Sequence, residues 1–160
     1  MGRKKRTSRI ITIGGIAVIG ALVAFMVALQ VEAARNNEFR RSIDQIAFDT
    51  IALTQEYQKV EEKWMENPQD NNSTITSTFE QYKLRYQQLI DRAEGLDTPD
   101  KYKTAKSHLI KAIELEMQSN QHFYNYLISG DDSEREKAGE LASQSLVSSA
   151  EYDAAIRAAG

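Results

Sequence analysis

The fold class the sequence predicts is all-α: one N-terminal transmembrane helix continuing into an antiparallel up-down four-helix bundle. Three observations predict it. Ile10 to Leu29, IITIGGIAVIGALVAFMVAL, is an unbroken run of uncharged, mostly apolar residues. After it come four segments in which apolar residues recur in steps of three and four, the period of one helix face. Only short Pro-, Gly- or Asn-rich connections separate those segments, and no alternating β-type stretch occurs.

The first element is the span, taken as residues 10–31. At about 1.5 Å per residue its apolar run reaches roughly 30 Å, the hydrocarbon thickness of a bilayer. Residues 1–9 form a basic tail with Arg3, Lys4, Lys5, Arg6 and Arg9 and no acid. Just beyond the span, Glu32, Arg35, Glu38, Arg40, Arg41 and Asp44 balance in sign. The cationic excess therefore lies on the N-terminal side, which predicts a cytoplasmic N-terminus and an extracytoplasmic domain at the cell membrane. A cleaved signal peptide is the rival, with Val31 and Ala33 before Ala34 resembling a cleavage site; its apolar core would be about 7 to 15 residues, shorter than this run. Gly20, Ala24 and Ala28 make a small-residue stripe at spacing four, suited to close packing with another membrane helix.

Residues 32–160 are enough for one compact domain. Its first helix, about 32–66, carries Phe39, Ile43, Ile46, Thr50, Leu53, Tyr57, Val60 and Trp64 on one face and is continuous with the span, since no Gly or Pro intervenes after Leu29. Asn67-Pro68 stops it, because proline lacks an amide donor and disfavours helix at the preceding residue. A polar loop follows. The second helix, about 74–94, presents Ile75, Phe79, Tyr82, Tyr86, Leu89, Ala93 and Leu96, with Ser77 and Glu80 as a capping box and Gly95 as the C-terminal cap. The third, about 99–129, starts on Thr98 as cap with Pro99 at the first helical position, and buries Tyr102, Ala105, Leu109, Ile113, Met117, Asn120, Phe123, Tyr124 and Leu127. Gly130 ends it. The fourth, about 132–158, opens at Asp131 or Asp132, with Ser133 and Glu136 as an alternative box; its inner face of Leu141, Ala142, Ser145, Tyr152 and Ile156 is small and serine-rich and should pack closely but weakly.

Composition excludes several functions. With no cysteine there is no disulfide, thiolate metal site, cysteine nucleophile or lipidated cysteine. The five leading cations set aside, fifteen Lys and Arg face twenty-three Asp and Glu, a balance of −8, so the domain has no footprint for nucleic acid. A di-iron bundle needs Glu-x-x-His pairs, whereas Ala105 and Ser119 precede His108 and His122 by three. A haem held by one of those histidines against Met65 or Met117 has no supporting motif. Glu114 and Glu116 with Asp131 and Asp132 offer carboxylates to a hard cation but lack calcium-loop spacing, and read as solvated faces and caps. Ser143, Ser145, Ser148 and Ser149 lie in no nucleophile elbow, and no glycine-rich phosphate loop occurs. No cofactor, metal or catalytic residue is expected. In the polar loop, Asn71 and Asn72 are overlapping glycosylation acceptors, N-x-S and N-x-T. The tyrosines on inner faces suit either a core whose hydroxyls reach the rim, the simpler case, or an amphipathic interior able to hold a small ligand.

The stretch PDKYKTAKSHLIKAIELEMQSNQHFYNYLISGDD, residues 99–132, resembles the helical segments of prokaryotic single-span membrane-anchored bundle proteins, with a Pro-x-x-Tyr start, a long helix and a Gly-Asp turn. The resemblance implies a helical bundle and no established activity. The layout of basic tail, span and external bundle is also similar to the sensor half of chemoreceptors, without a second span or signalling module in this chain. The expected function is a membrane-anchored, non-enzymatic interaction module or accessory subunit of a membrane complex, with the bilayer and a membrane-protein partner or second copy as partners. The alternative is an extracytoplasmic small-molecule or metal-binding sensory domain acting through a partner. A deep polar cavity near Tyr86, Tyr124 and His122 would favour the alternative, and a filled core with an exposed apolar patch the first.

Overall fold

The computed structural model describes the backbone of residues 3–66 and 72–160 and the side chains of residues 26–66 and 73–160. The elements are α1, Arg3–Glu66; α2, Asn72–Glu94; a 3-10 turn, Asp100–Tyr102; α3, Lys103–Ser129; and α4, Asp132–Ala159. No strand occurs among the described residues. The chain divides into two units, Met1–Glu38 and Phe39–Gly160.

In the first unit the backbone is α-helical from Arg3. The expected span falls mostly on residues whose side chains lie outside the description, as do the basic tail, Gly20 and Ala24. Its described end carries exposed Met26, Val27, Ala28, Leu29 and Val31. Among the described residues no helix is long and apolar enough to cross a membrane, so the structure lends the expected transmembrane helix and single-pass topology no support.

The second unit is the helical bundle, and the cross-helix contacts give its order. Asp49 meets Arg92 and Glu56 meets Arg85, so α1 and α2 run antiparallel. Thr76 meets Tyr124 near one end of the α2–α3 pair and Lys106 meets the carbonyls of Glu94 and Leu96 near the other. Across α3 and α4, His122 meets Glu134 and His108 meets Glu151. Tyr152 Oη donates to Asp44 Oδ1 at 3.0 Å, which brings α4 back beside the start of the bundle part of α1.

The periodic faces are the core. Phe39, Ile43, Ile46, Leu53, Tyr57 and Trp64 are buried, as are Ile75, Phe79, Tyr82, Tyr86 and Leu89. Ring contacts knit them: Phe39 stacks on Tyr102 at 5.1 Å, Phe79 on Tyr124 at 4.5 Å, and Trp64 meets Tyr57 edge-on at 6.0 Å. Between α3 and α4 small residues replace rings. Ser119 and Ser145 donate across the interface to the carbonyls of Ala138 and Ala112 at 2.8 and 3.0 Å, which needs the backbones close together.

Four local expectations need correction. α2 begins at Asn72, so Ser77 lies inside the helix and donates to Thr74 O instead of forming a capping box with Glu80. Gly95 follows the last residue of α2, but its φ is not positive; its amide simply bonds Asp91 O at 3.0 Å. Thr98 does not cap α3, because its hydroxyl turns back to Leu96 O, and the chain takes a 3-10 turn after Pro99 before α3 begins at Lys103. Ser133 is not a cap either; Asp131 caps α4 by accepting from the Ser133 amide at 2.9 Å. Gly130 behaves as expected: φ of 73° puts it in the left-handed region that glycine occupies without a side-chain penalty.

Candidate functional site

The most unusual chemistry of the bundle lies at the edge of the inward face of α1, between the packed core and open clefts. On helix geometry Glu61 follows Tyr57 by four and precedes Trp64 by three, so it belongs to the inward face. On α3, Glu116 follows Ile113 by three and precedes Asn120 by four, which places it on the inward face in the same way. Both carboxylates are half-buried. Burial pushes the Glu61 carboxyl up to about 8, with the like charge of Glu116 adding to the effect. Burial likewise raises Glu116, and Ser145 beside it pulls part of the way back. Glu61 is thus biased toward the neutral form near neutral pH, because a charged carboxylate loses hydration there.

Among the described residues two buried side-chain atoms complete no hydrogen bond, Tyr57 Oη and Asn120 Nδ2, and the Asn120 amide lies close enough to the Tyr86 hydroxyl to favour its ionised form. Their residues are 1% and 6% exposed. Tyr57 lies in the field of Glu61, Tyr82 and Tyr86, and Tyr86 in that of Glu116 and Glu61, so all of these belong to one cluster. Burial raises both phenols. Tyr86 differs from Tyr57 in having a partner, the Thr54 hydroxyl at 3.0 Å. Natural interiors leave few such atoms unpaired, since each costs roughly 1–3 kcal/mol.

Two clefts reach the acids, one at Glu116 and one at Glu61, while Tyr57, Tyr82, Tyr86 and Asn120 line neither. One, about 310 Å³, runs between α1 and the α3–α4 pair, with Thr54, Ala112, Glu116 and Ser145 in its lining and Ile51 and Leu146 also contributing. The other, about 460 Å³, is lined by Gln58, Glu61, Glu62, Met65, Glu66 and Phe123. Gln58 lines both, and the two together are the trough along α1. Five carboxylates line them, counting Asp153, and among the described residues no lysine, arginine or histidine does. A wider, shallow concavity of about 560 Å³ over α3 is lined by Lys103, Lys106, Lys111 and Glu114 on its charged side and has no unpaired buried group behind it.

The residues singled out by sequence are dispersed. His122 Nδ1 meets Glu134 Oε2 at 2.7 Å, and Asn125 donates to the same oxygen, which holds the Glu134 carboxyl below the usual range. His108 pairs with Glu151 at 2.9 Å. Each histidine is an α3–α4 clasp, and Met65 is exposed while Met117 packs against the core. Glu114 and Glu116 diverge: the first lines the α3 surface concavity and the second the trough. Asp131 is a cap and Asp132 pairs with Arg135, so neither joins them, and no group of three metal-ligating residues occurs among the described residues. Ser143 donates to Gly139 O within its own helix, Ser149 lines the trough, and Ser148 is buried. Asn71 lies outside the described residues and Asn72 is the first residue of α2. Tyr86, Tyr124 and His122 line none of these clefts: they meet Thr54, Thr76 and Glu134 in turn. The reading of every inner hydroxyl as reaching the rim fails at Tyr57.

No protein-family model matches the chain, and neither the curated proteins nor the solved structures compared with it yield a match.

Proposed function

We propose that the chain is a membrane-anchored, non-enzymatic binding module whose extracytoplasmic bundle takes a small molecule in the trough along α1 and passes the event to a partner. The observation that carries this reading is the pair of half-buried carboxylates, Glu61 and Glu116, lining open clefts along α1, with the unpartnered buried hydroxyl of Tyr57 in the field of Glu61. A protein selected only for stability would gain by filling this region with apolar side chains, so its retention fits use. The apolar run Ile10 to Leu29 after five cations supports the anchor and its orientation, and the exposed Met26, Val27, Leu29 and Val31 suit a lipid-facing helix.

A second reading, an accessory subunit that docks another membrane protein, draws support from Phe48 and Ile51 on α1 and Leu146 and Val147 on α4, all large, apolar and exposed. Native mass spectrometry of the full chain, released from its own membrane in mild detergent, separates the two. A bound small molecule that is lost in Glu116→Ala supports the binding module. A stoichiometric protein partner with no small molecule replaces it with the second reading.

A further inference from the structure

We infer that the face shared by α1 and α4 is the contact surface of a homodimer, in which a second copy of this chain is related to the first by a two-fold axis running along the helices. The inference does not depend on whether the trough takes a ligand. Phe48 and Ile51 on α1 and Leu146 on α4 are 66%, 57% and 72% exposed. Ile51 and Leu146 line one cleft, and Phe48 precedes Ile51 by three, so the two helices present these side chains on one side of the bundle. Single exposed apolar residues mean little, whereas three large ones gathered across two helices mark an interaction surface.

The flanking charges identify the occupant. Arg41 lies two helical turns before Phe48, and Asp153 two turns after Leu146, so each charge stays on the stripe of its apolar neighbour, about 10 Å along the helix. Both are exposed, and among the described residues neither has an ion-pair partner. Tyr152 meets Asp44 while Leu146 shares a cleft with Ile51, so α1 and α4 run antiparallel. Arg41 and Asp153 are therefore displaced from the apolar centre in the same direction and by the same amount. A half-turn about an axis along the helices sets α1 of each copy against α4 of the other and leaves heights unchanged. Phe48 then meets Leu146 of the second copy, and Arg41 meets Asp153 of the second copy, once on each side of the axis. A half-turn about an axis across the helices, with the apolar residues again superposed, sets Arg41 opposite Gln55 and Asp153 opposite Gly139 of the second copy, and neither charge is answered. Opposite charges across an interface fix its register and suppress the alternative.

The rest of the face agrees with this pairing. Asp44, on the same side, is already held by the Tyr152 hydroxyl and Arg40, so it brings no unanswered charge. On the other side of the apolar centre, Gln55 of one copy comes opposite Gly139 of the second. Gly139 sits inside α4 with open space where a Cβ would lie, so nothing within the chain calls for a glycine there. The missing side chain lets α1 of the second copy approach closely. Both copies of α1 also run in the same direction, as the anchor proposed above requires of two chains in one membrane.

The test combines sedimentation equilibrium of the full chain in mild detergent with disulfide trapping. The chain has no cysteine, so one introduced thiol reports one position. The expected result is a dimer whose association weakens by at least about tenfold in Arg41→Asp and in Asp153→Arg and recovers when both exchanges are made together. On oxidation, Phe48→Cys mixed with Leu146→Cys should form the mixed disulfide at least about tenfold faster than either variant links to itself. All four positions are exposed, and circular dichroism melts confirm that the variants are folded. A monomer, a dimer that both charge exchanges leave intact, or disulfides that form preferentially between like positions overturns the inference. A monomer that carries a small molecule in native mass spectrometry overturns the dimer and leaves the binding module standing. A monomer that instead binds a different protein, with that complex lost in Leu146→Glu, overturns it in favour of the accessory subunit.

Discussion

Glu61→Gln should stabilise the folded bundle at high pH and leave it unchanged at low pH. Glutamine keeps the shape and hydrogen-bonding ends of a protonated glutamic acid but cannot ionise. In the parent, Glu61 has its proton affinity raised from 4.5 in the unfolded chain to about 8. The folded state therefore holds more protons than the unfolded one between those values, and stability must fall as pH rises through that window. At about 1.36 kcal/mol for each tenfold change in proton affinity, the ceiling is ~5 kcal/mol. Glu61 is only half-buried, so relaxation and partial hydration reduce this, and about 2 kcal/mol is the expected gain at pH 9. The bundle unit, Phe39–Gly160, has an unfolding entropy near 0.25 kcal/mol/K, which turns that gain into a melting-temperature rise of about 8 °C. Far-UV circular dichroism melts at pH 4, 6, 8 and 9 give the difference directly. The two proteins should coincide at pH 4 and diverge progressively to pH 8 and beyond. A difference that does not change with pH, or a variant that melts lower than the parent at pH 9, would refute the reasoning.

Further outcomes follow from other named contacts. Tyr57→Phe removes a buried hydroxyl with no partner and should raise unfolding free energy by about 1 kcal/mol in urea titrations, where an ordinary buried tyrosine would lose stability. Gly130→Ala forces a left-handed residue to carry a side chain, though nothing crowds it, and should cost about 1–2 kcal/mol in the same assay. Ile43→Ala opens a cavity at a fully buried position and should cost about 2–5 kcal/mol, enough to lower the thermal midpoint by more than 8 °C. Glu56, which accepts both guanidinium nitrogens of Arg85 at 2.9 Å and the Tyr82 hydroxyl, is held down at about 2. Its contribution is present above pH 4.5 and is lost as pH falls toward 2; both side chains are about half exposed, so Glu56→Gln should cost at most about 1 kcal/mol at pH 7, less in high salt, and nothing at pH 2.

The helices were readable because a heptad-like face and a stop signal are local properties. All the α1 face positions from Phe39 to Trp64, and the α2 face from Ile75 to Leu96, are buried or half-buried. Caps are less readable, because the Ser77 and Thr98 hydroxyls each have a competing backbone carbonyl nearby, and at Ser133 the Asp131 carboxylate takes the capping role first. The candidate site was the least readable part. Glu61 carried a usable signal, an acid spaced four and three from Tyr57 and Trp64, yet surface helices hold many acids and the pattern alone does not separate a buried one from a solvated one. Glu116 was grouped with Glu114 and the aspartates by proximity in sequence, whereas helix rotation sends Glu114 and Glu116 to different surfaces. The failure of Tyr57 to find a partner is a property of four helices together and has no sequence signature.

The central claim is that burial, with Glu116 nearby, holds the Glu61 carboxyl toward its neutral form at the trough along α1. Carbon-detected NMR of the glutamate carboxyls in the full chain, titrated over pH 5–10 in the parent and in Glu116→Gln, measures it most directly. The account predicts that the Glu61 carboxyl titrates near 8 in the parent and lower in Glu116→Gln, where the like charge is gone. A Glu61 carboxyl that titrates near 4.5 in both samples would contradict it.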